Sequence, residues 1–163
     1  MDIFVISDTH IPERIGKLPN NLMKQLQQGD ILFHCGDFTS IDVYDQLQQS
    51  AHLHAVTGNM DDFALTSTLK SQLIVDINGK KIGMMHGWGS SVDLEERVYD
   101  AFNEKPDVIL FGHSHSRLSK RINNTLMFNP GAVTGGWDSP PSFGKLFIDG
   151  GAIWGEHYFI ESR

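Results

Sequence analysis

The stretch Ile3-Phe4-Val5-Ile6-Ser7-Asp8-Thr9-His10 decides how this chain is read. Its first four residues are apolar without alternation, the pattern of a strand covered on both faces. It then breaks at once into residues that can bind a ligand. The same phrase recurs along the chain. Ile31–Cys35 runs into Gly36-Asp37, and Leu53–Val56 into Thr57-Gly58-Asn59. Ile82–Met85 runs into His86-Gly87, and Val108–Phe111 into Gly112-His113-Ser114-His115. α/β sheets hold ligands beyond the carboxyl ends of their strands. The phrasing therefore predicts that Asp8, His10, Asp37, Asn59, His86, His113 and His115 converge on one sheet edge.

Outward from these strands, the first half alternates strand and helix. Leu18–Gln28 reads as a helix stopped by Gly29. Ile41–Gln49 reads as a helix capped by Ser40, and Val92–Phe102 as one ending before Pro106. Leu73–Met85 carries Asn78-Gly79 between apolar runs, a strong hairpin signal. The last third returns to hairpin-like β, with Thr125–Phe128, Leu146–Asp149, a turn at Gly150-Gly151, and Ala152–Trp154. The mixture predicts an α/β fold of two packed mixed sheets with helices outside. A single Rossmann sheet is the runner-up, weakened because SDTHIPERIG follows the first strand where G-x-G-x-x-G would be needed.

The chain's 163 residues fit one domain spanning 1–163. The composition, 40% apolar and 20% charged, is that of a globular protein. No apolar run approaches the roughly 20 residues that span a bilayer. The start MDIFVISDTH lacks a basic region and a cleavage site, so no signal peptide is expected. One cysteine, Cys35, excludes an internal disulfide. A cytoplasmic location is the expectation, with no membrane association; a homo-oligomer is compatible with the sequence. The net charge of −7 and the lack of any Lys/Arg cluster argue against an extended nucleic-acid surface.

Each candidate ligand, taken alone, is more commonly a turn former or a hydrogen-bonded structural residue. Their shared position at five strand ends gives them weight as a set. Imidazole, carboxylate and amide oxygen without thiolate suit Mn²⁺, Fe²⁺, Co²⁺, Ni²⁺ or Zn²⁺ and not a zinc finger. Seven ligands exceed what one such ion takes and suit two ions roughly 3.5–4 Å apart that share a carboxylate. Asp37, with two oxygens on a tight Gly36 turn, is the natural bridge. Two dications outweigh two carboxylates, so an acidic protein can still hold a phosphate ester at this point.

The series Asp8-x-His10, Gly36-Asp37, Gly58-Asn59-x-Asp61, His86-Gly87, Gly112-His113-x-His115 resembles the calcineurin-like metallophosphoesterase superfamily. The short length, His34-Cys35-Gly36-Asp37 and Asn129-Pro130-Gly131 are similar to its small bacterial and archaeal YfcE-like phosphodiesterase branch. The resemblance implies a four-layer α-β-β-α sandwich. It implies one divalent ion on Asp8, His10, Asp37 and His115, and a second on Asp37, Asn59, His86 and His113, with manganese the first choice. Asn59 would also touch the phosphate, and Asp61 would orient that loop. The implied reaction is in-line attack of a metal-bound hydroxide on a small phosphate ester, preferably a diester, without a covalent enzyme intermediate. Many superfamily phosphatases carry a histidine proton donor where this chain has Met60, a variable position in the small branch.

Two other functions share the pattern. One is a non-catalytic scaffold, since the superfamily includes a retromer subunit of this fold; a complete ligand set speaks against it. The other is monoester, protein-phosphate or nucleotide hydrolysis at the same site. His34 reads as structural or near the site, and His52, His54 and His157 as structural or exposed. Cys35 reads as a small buried residue. Trp88, Trp137 and Gly135-Gly136 read as packing elements first and pocket borders second.

Overall fold

A computed structural model describes residues 1–161 of the chain. In chain order its first elements are β1 (Ile3–Ile6), α1 (Asn20–Met23), β2 (Ile31–His34), α2 (Ile41–Ser50), β3 (His52–Ala55) and α3 (Phe63–Thr68). Then follow β4 (Gln72–Ile77), β5 (Lys80–Met85), α4 (Leu94–Asp100), β6 (Val108–Leu110), β7 (Arg117–Ile122), β8 (Thr125–Pro130), β9 (Ser142–Asp149) and β10 (Ala152–Phe159). They build two five-stranded mixed sheets, ordered β10-β9-β1-β2-β3 and β4-β5-β6-β8-β7.

The unbroken apolar runs are explained by what covers each face. In β1, Phe4 and Ile6 point toward α1 and α2, where they pack with Leu22, Val43 and Leu47. Ile3 and Val5 point the other way, onto Ile82, Met84, Val108 and Leu110 of the second sheet. In that sheet, Ile109, Phe111 and Met127 turn outward against Leu94, Val98 and Phe102 around α4. Successive side chains alternate between faces, so three cores separate four layers. Each fully buried Leu, Ile or Phe contributes about 1.5–3 kcal/mol. The four-layer α-β-β-α sandwich read from the sequence is the architecture observed.

β1, β2 and β3 run parallel, as do β5, β6 and β8. Their carboxyl ends are stitched together within each sheet and, at Val133, between the sheets. Asp8 N–H donates to Gly36 O, Gly112 N–H to His86 O, and Val133 N–H to Ser7 O, each at 3.0 Å. The hairpin at Asn78-Gly79 is present, both residues having the positive φ that a two-residue turn of type I′ needs. Gly150-Gly151 likewise joins β9 to β10.

Several elements differ from the sequence reading. The helix expected over Leu18–Gln28 is only the single turn of α1. Its cap, Pro19, offers no side-chain bond. Beyond α1, Gln25 N–H reaches back three residues to Leu22 O, and Gln27 N–H turns to the Asp30 carboxylate. α3 and β7 were not foreseen. α3 starts at Asp62, whose side chain accepts from Leu65 N–H at 2.9 Å. The C-terminal β is not one hairpin series: β8 lies in the second sheet beside β6, while β9 pairs with β1 in the first. Among the described residues, no helix is long and apolar enough to cross a membrane.

Candidate metal centre

The loops after β1, β2, β3, β5 and β6 meet at the stitched edge. Each carboxylate there has one oxygen anchored and one free. Asp8 Oδ2 accepts from Ser7 Oγ at 2.6 Å and from His113 N–H at 3.2 Å. Asp8 Oδ1 is left facing His115 Nε2 at 3.2 Å, His10 Nε2 at 3.6 Å and His86 Nε2 at 3.9 Å. Asp37 Oδ1 accepts from Met60 N–H at 2.8 Å. Asp37 Oδ2 faces His86 Nε2 at 3.2 Å and His10 Nε2 at 3.7 Å. One oxygen of Asp37, Oδ2, thus lies between the two histidines, while Oδ1 is hydrogen-bonded to the backbone.

The histidines are oriented by carbonyls behind them. His86 Nδ1 donates to Cys35 O at 2.7 Å, which leaves Nε2 pointing at the carboxylates. His113 Nε2 donates to Gly89 O at 2.8 Å, so Nδ1 faces Asn59 Oδ1 at 3.2 Å. His10 Nε2 and His115 Nε2 stand 3.2 Å apart. Asp8, His10 and His115 form one triad able to hold a cation, and Asp8, Asp37 and His86 a second. His113 and Asn59 make an adjacent pair, the His113 ring lying 5.3 Å from that of His86.

The donor set fits divalent cations on an internal observation. Asp8 Oδ1 and His86 Nε2 are buried and, despite their close neighbours, make no aligned hydrogen bond. A carboxylate oxygen and a ring nitrogen aimed at shared space, both unsatisfied, leave a deficit that a cation bound in place of the ring proton would relieve. Burial opposes ionisation of Asp8, but the close imidazoles of His10 and His115 and the charge of His86 hold its carboxyl well below the usual range. Burial likewise opposes charge on His86, yet the Asp37 carboxylate 3.2 Å away and the charge of Asp8 raise its pKa to about 9. The centre is an anionic nest that recruits positive charge from protons when nothing better is bound.

The backbone is shaped for this. Asp8, His10, Asp37, His113 and His115 all adopt left-handed φ between 43° and 68°. Asp and His tolerate this region better than most residues, and strained backbone concentrates at functional sites. Gly112 is required by close approach, since a Cβ there would collide with Ser7 Oγ and lie 2.7 Å from Asp8 Oδ2.

Several contributors have no signal of their own in the sequence. Ser7 anchors Asp8, and Thr134 Oγ1 donates to Asp8 O at 3.1 Å. Asn129 Nδ2 donates to Gly112 O at 2.9 Å, bracing the His113 loop. Asp61 does not reach the cluster. Its carboxylate accepts the N–H groups of Asp37, Gly58 and Thr39 at 3.1, 2.7 and 2.9 Å. His34 is fully buried, stacked 3.4 Å from Phe38, and accepts from Gly36 N–H; burial pushes it down to about 3. It supports the Gly36 turn as a neutral ring. Cys35 is buried and its thiol is pushed up by burial, so it is inert. His52 is exposed, while His54 stacks on Phe33 and His157 on Phe128. Packing does not account for Trp137, which is fully exposed, or for Trp88, which is half-exposed. Their neighbours Gly136 and Gly89 touch the centre through His115 and His113.

Comparison with known proteins identifies the family and the fold. Residues 1–150 match the calcineurin-like phosphoesterase superfamily domain. A probable metallophosphoesterase of Methanothermobacter thermautotrophicus is 32% identical over 151 residues, covering 92% of this chain and 87% of the relative. A phosphodiesterase of Methanocaldococcus jannaschii is 28% identical, covering 90% of this chain and 92% of its own. Vps29 of Entamoeba histolytica, solved in complex with Zn²⁺, superimposes with a TM-score of 0.71 at 26% identity, covering 99% of this chain and all of its own. The chain belongs to the calcineurin-like phosphoesterase superfamily.

Proposed function

We propose that this member of the superfamily is a dinuclear-metal phosphodiesterase acting on a small phosphate ester. The observation that carries the reading is the pair of unsatisfied buried atoms, Asp8 Oδ1 and His86 Nε2, inside a complete donor set. Divalent ions held by Asp8, His10, Asp37 and His115 on one side, and Asp37, Asn59, His86 and His113 on the other, would neutralise phosphate charge and acidify water. The protein's own part is positioning. Cys35 O and Gly89 O fix the tautomers of His86 and His113, and Ser7 and Met60 N–H each tie down one carboxylate oxygen. Asn59, exposed beside His113, is placed to donate its amide N–H to a phosphate oxygen. Ser7 donates to Asp8 and Cys35 is a buried thiol, so neither serves as a nucleophile.

The diester preference draws on the similarity to the Methanocaldococcus phosphodiesterase. The likeness to Zn²⁺-bound Vps29 supports divalent metal and favours, as a second reading, an interaction scaffold. The decisive experiment is a panel of mono- and diesters under Mn²⁺, Ni²⁺, Co²⁺, Fe²⁺ and Zn²⁺, with Asp37→Asn as control. Metal-dependent diester turnover, reduced more than about 100-fold by Asp37→Asn, is expected. Full activity in Asp37→Asn would remove Asp37 from the site. Tight metal binding with no turnover on any ester would favour the scaffold.

A further inference from the structure

We infer that Arg14 is the substrate-phosphate contact of this centre, an exposed guanidinium beside His115 that can meet a non-bridging phosphoryl oxygen. The inference rests on the phosphoesterase reading and adds the residue that grips the ester from the His115 side. Arg14 belongs to a turn that the fold fixes at both ends. Its N–H donates to His10 O at 2.8 Å, and Ile11 N–H donates to Phe38 O at 3.1 Å. From that anchored backbone the exposed side chain folds back, placing Nη1 3.2 Å from His115 Nδ1.

The other described arginines are committed elsewhere. Arg97 spends its donors on carbonyls of Trp88, Ser90 and Val92, and Arg121 on those of Asn124 and Ile153. Arg117 lies over the Phe159 ring. Among the described residues, no lysine side chain bonds to any of the seven donors, and Arg14 has no carboxylate partner. In a chain of net charge −7, Arg14 is, among the described residues, the one Lys or Arg side chain hydrogen-bonded to a candidate ligand.

The hydrogen-bond inventory shows why this charge is available. A guanidinium only donates, so its present contact needs a lone pair on His115 Nδ1 and a proton on Nε2. His115 Nε2 lies 3.2 Å from Asp8 Oδ1 and faces the triad. With Nε2 engaged by a cation, the ring proton sits on Nδ1, where it can only donate. Arg14 then loses its acceptor, and two donors face each other. A phosphoryl oxygen above the centre supplies the missing acceptor, and an arginine fork matches its geometry. A cation held by His115 Nε2 would thus leave Arg14 free to donate to the substrate.

The test compares metal-loaded wild type with Arg14→Ala and Arg14→Lys. An activated aryl phosphodiester is the kinetic probe, and inorganic phosphate is the calorimetric one. Arg14→Ala is expected to raise KM about tenfold and weaken phosphate binding by a similar factor, with kcat changed less. Arg14→Lys is expected to recover part of both, and metal affinity to stay at the wild-type value. Unchanged KM and phosphate affinity in Arg14→Ala would overturn the inference. So would a loss of metal affinity that accounts for the whole effect, because Arg14 would then act by holding His115. Absence of turnover in wild type would defeat the phosphoesterase reading instead, while phosphate calorimetry would still decide the role of Arg14.

Discussion

Met60 follows Asn59 and shows how finely the division of labour runs within one residue. Its backbone N–H is a fixed donor to Asp37 Oδ1, while its side chain is half-exposed beside the centre and carries no proton to give. The leaving alkoxide must then take its proton from water or leave without help. Met60→His places an imidazole there without touching the backbone bond. Its expected effect is selective, an increase in turnover for poor leaving groups of about tenfold or more and little change for nitrophenolates. Equal effects on both classes, in a leaving-group series, would exclude a proton-donor deficit. At this scale the candidate ligands were legible as a cluster because carboxylate and imidazole are chemically distinctive and fall directly after apolar runs. Ser7, Thr134 and Arg14 were not, because hydroxyls and surface arginines are common and only their orientation gives them a role.

Among the elements, the loops after β2 and β3 depend on each other through one side chain. Asp61 gathers N–H groups from both loops, and burial raises its carboxyl above the ordinary range despite those bonds. Asp61→Ala strands three donors and is expected to cost about 2 kcal/mol, read by denaturant melts, together with weakened metal binding. Asp61→Asn keeps one acceptor and should fall between; an Ala variant with wild-type stability and metal affinity would contradict this coupling. The same scale shows where the sequence misled. α1 looked longer because Leu18, Leu22 and Leu26 have helical spacing, yet all three reach the core from a turn-rich segment. β7 was invisible because Arg117–Ile122 is an edge strand, where Lys120 interrupts the face shared by Leu118 and Ile122. α3 hides in FALTST, whose one buried residue, Leu65, gives no periodicity to detect.

For the whole molecule, the buried centre couples folding, protons and metal. The His86 pKa is raised in the metal-free fold from 6.5 to about 9. The stability contributed by that charge is complete below pH 6.5 and disappears as pH rises through 9. Metal binding requires the neutral ring, so it gains over the same window. Chelated protein should therefore lose melting temperature between these values, by about 5 °C, while metal-loaded protein holds or gains. Parallel curves in calorimetric scans would show that His86 is not the proton that metal displaces. The layered architecture was legible because strands covered on both faces announce themselves in sequence. Sheet membership of β8 and β9 was not, since an apolar run does not say which neighbour it pairs with. The left-handed backbone at Asp8, His10, Asp37, His113 and His115 has a last consequence, for descent rather than for chemistry. Loops of that shape accept asparagine or glycine more readily than the branched residues that would rebuild them. A lineage that abandoned catalysis would replace ligands without remodelling the loops, and would inherit their backbone frame for another use.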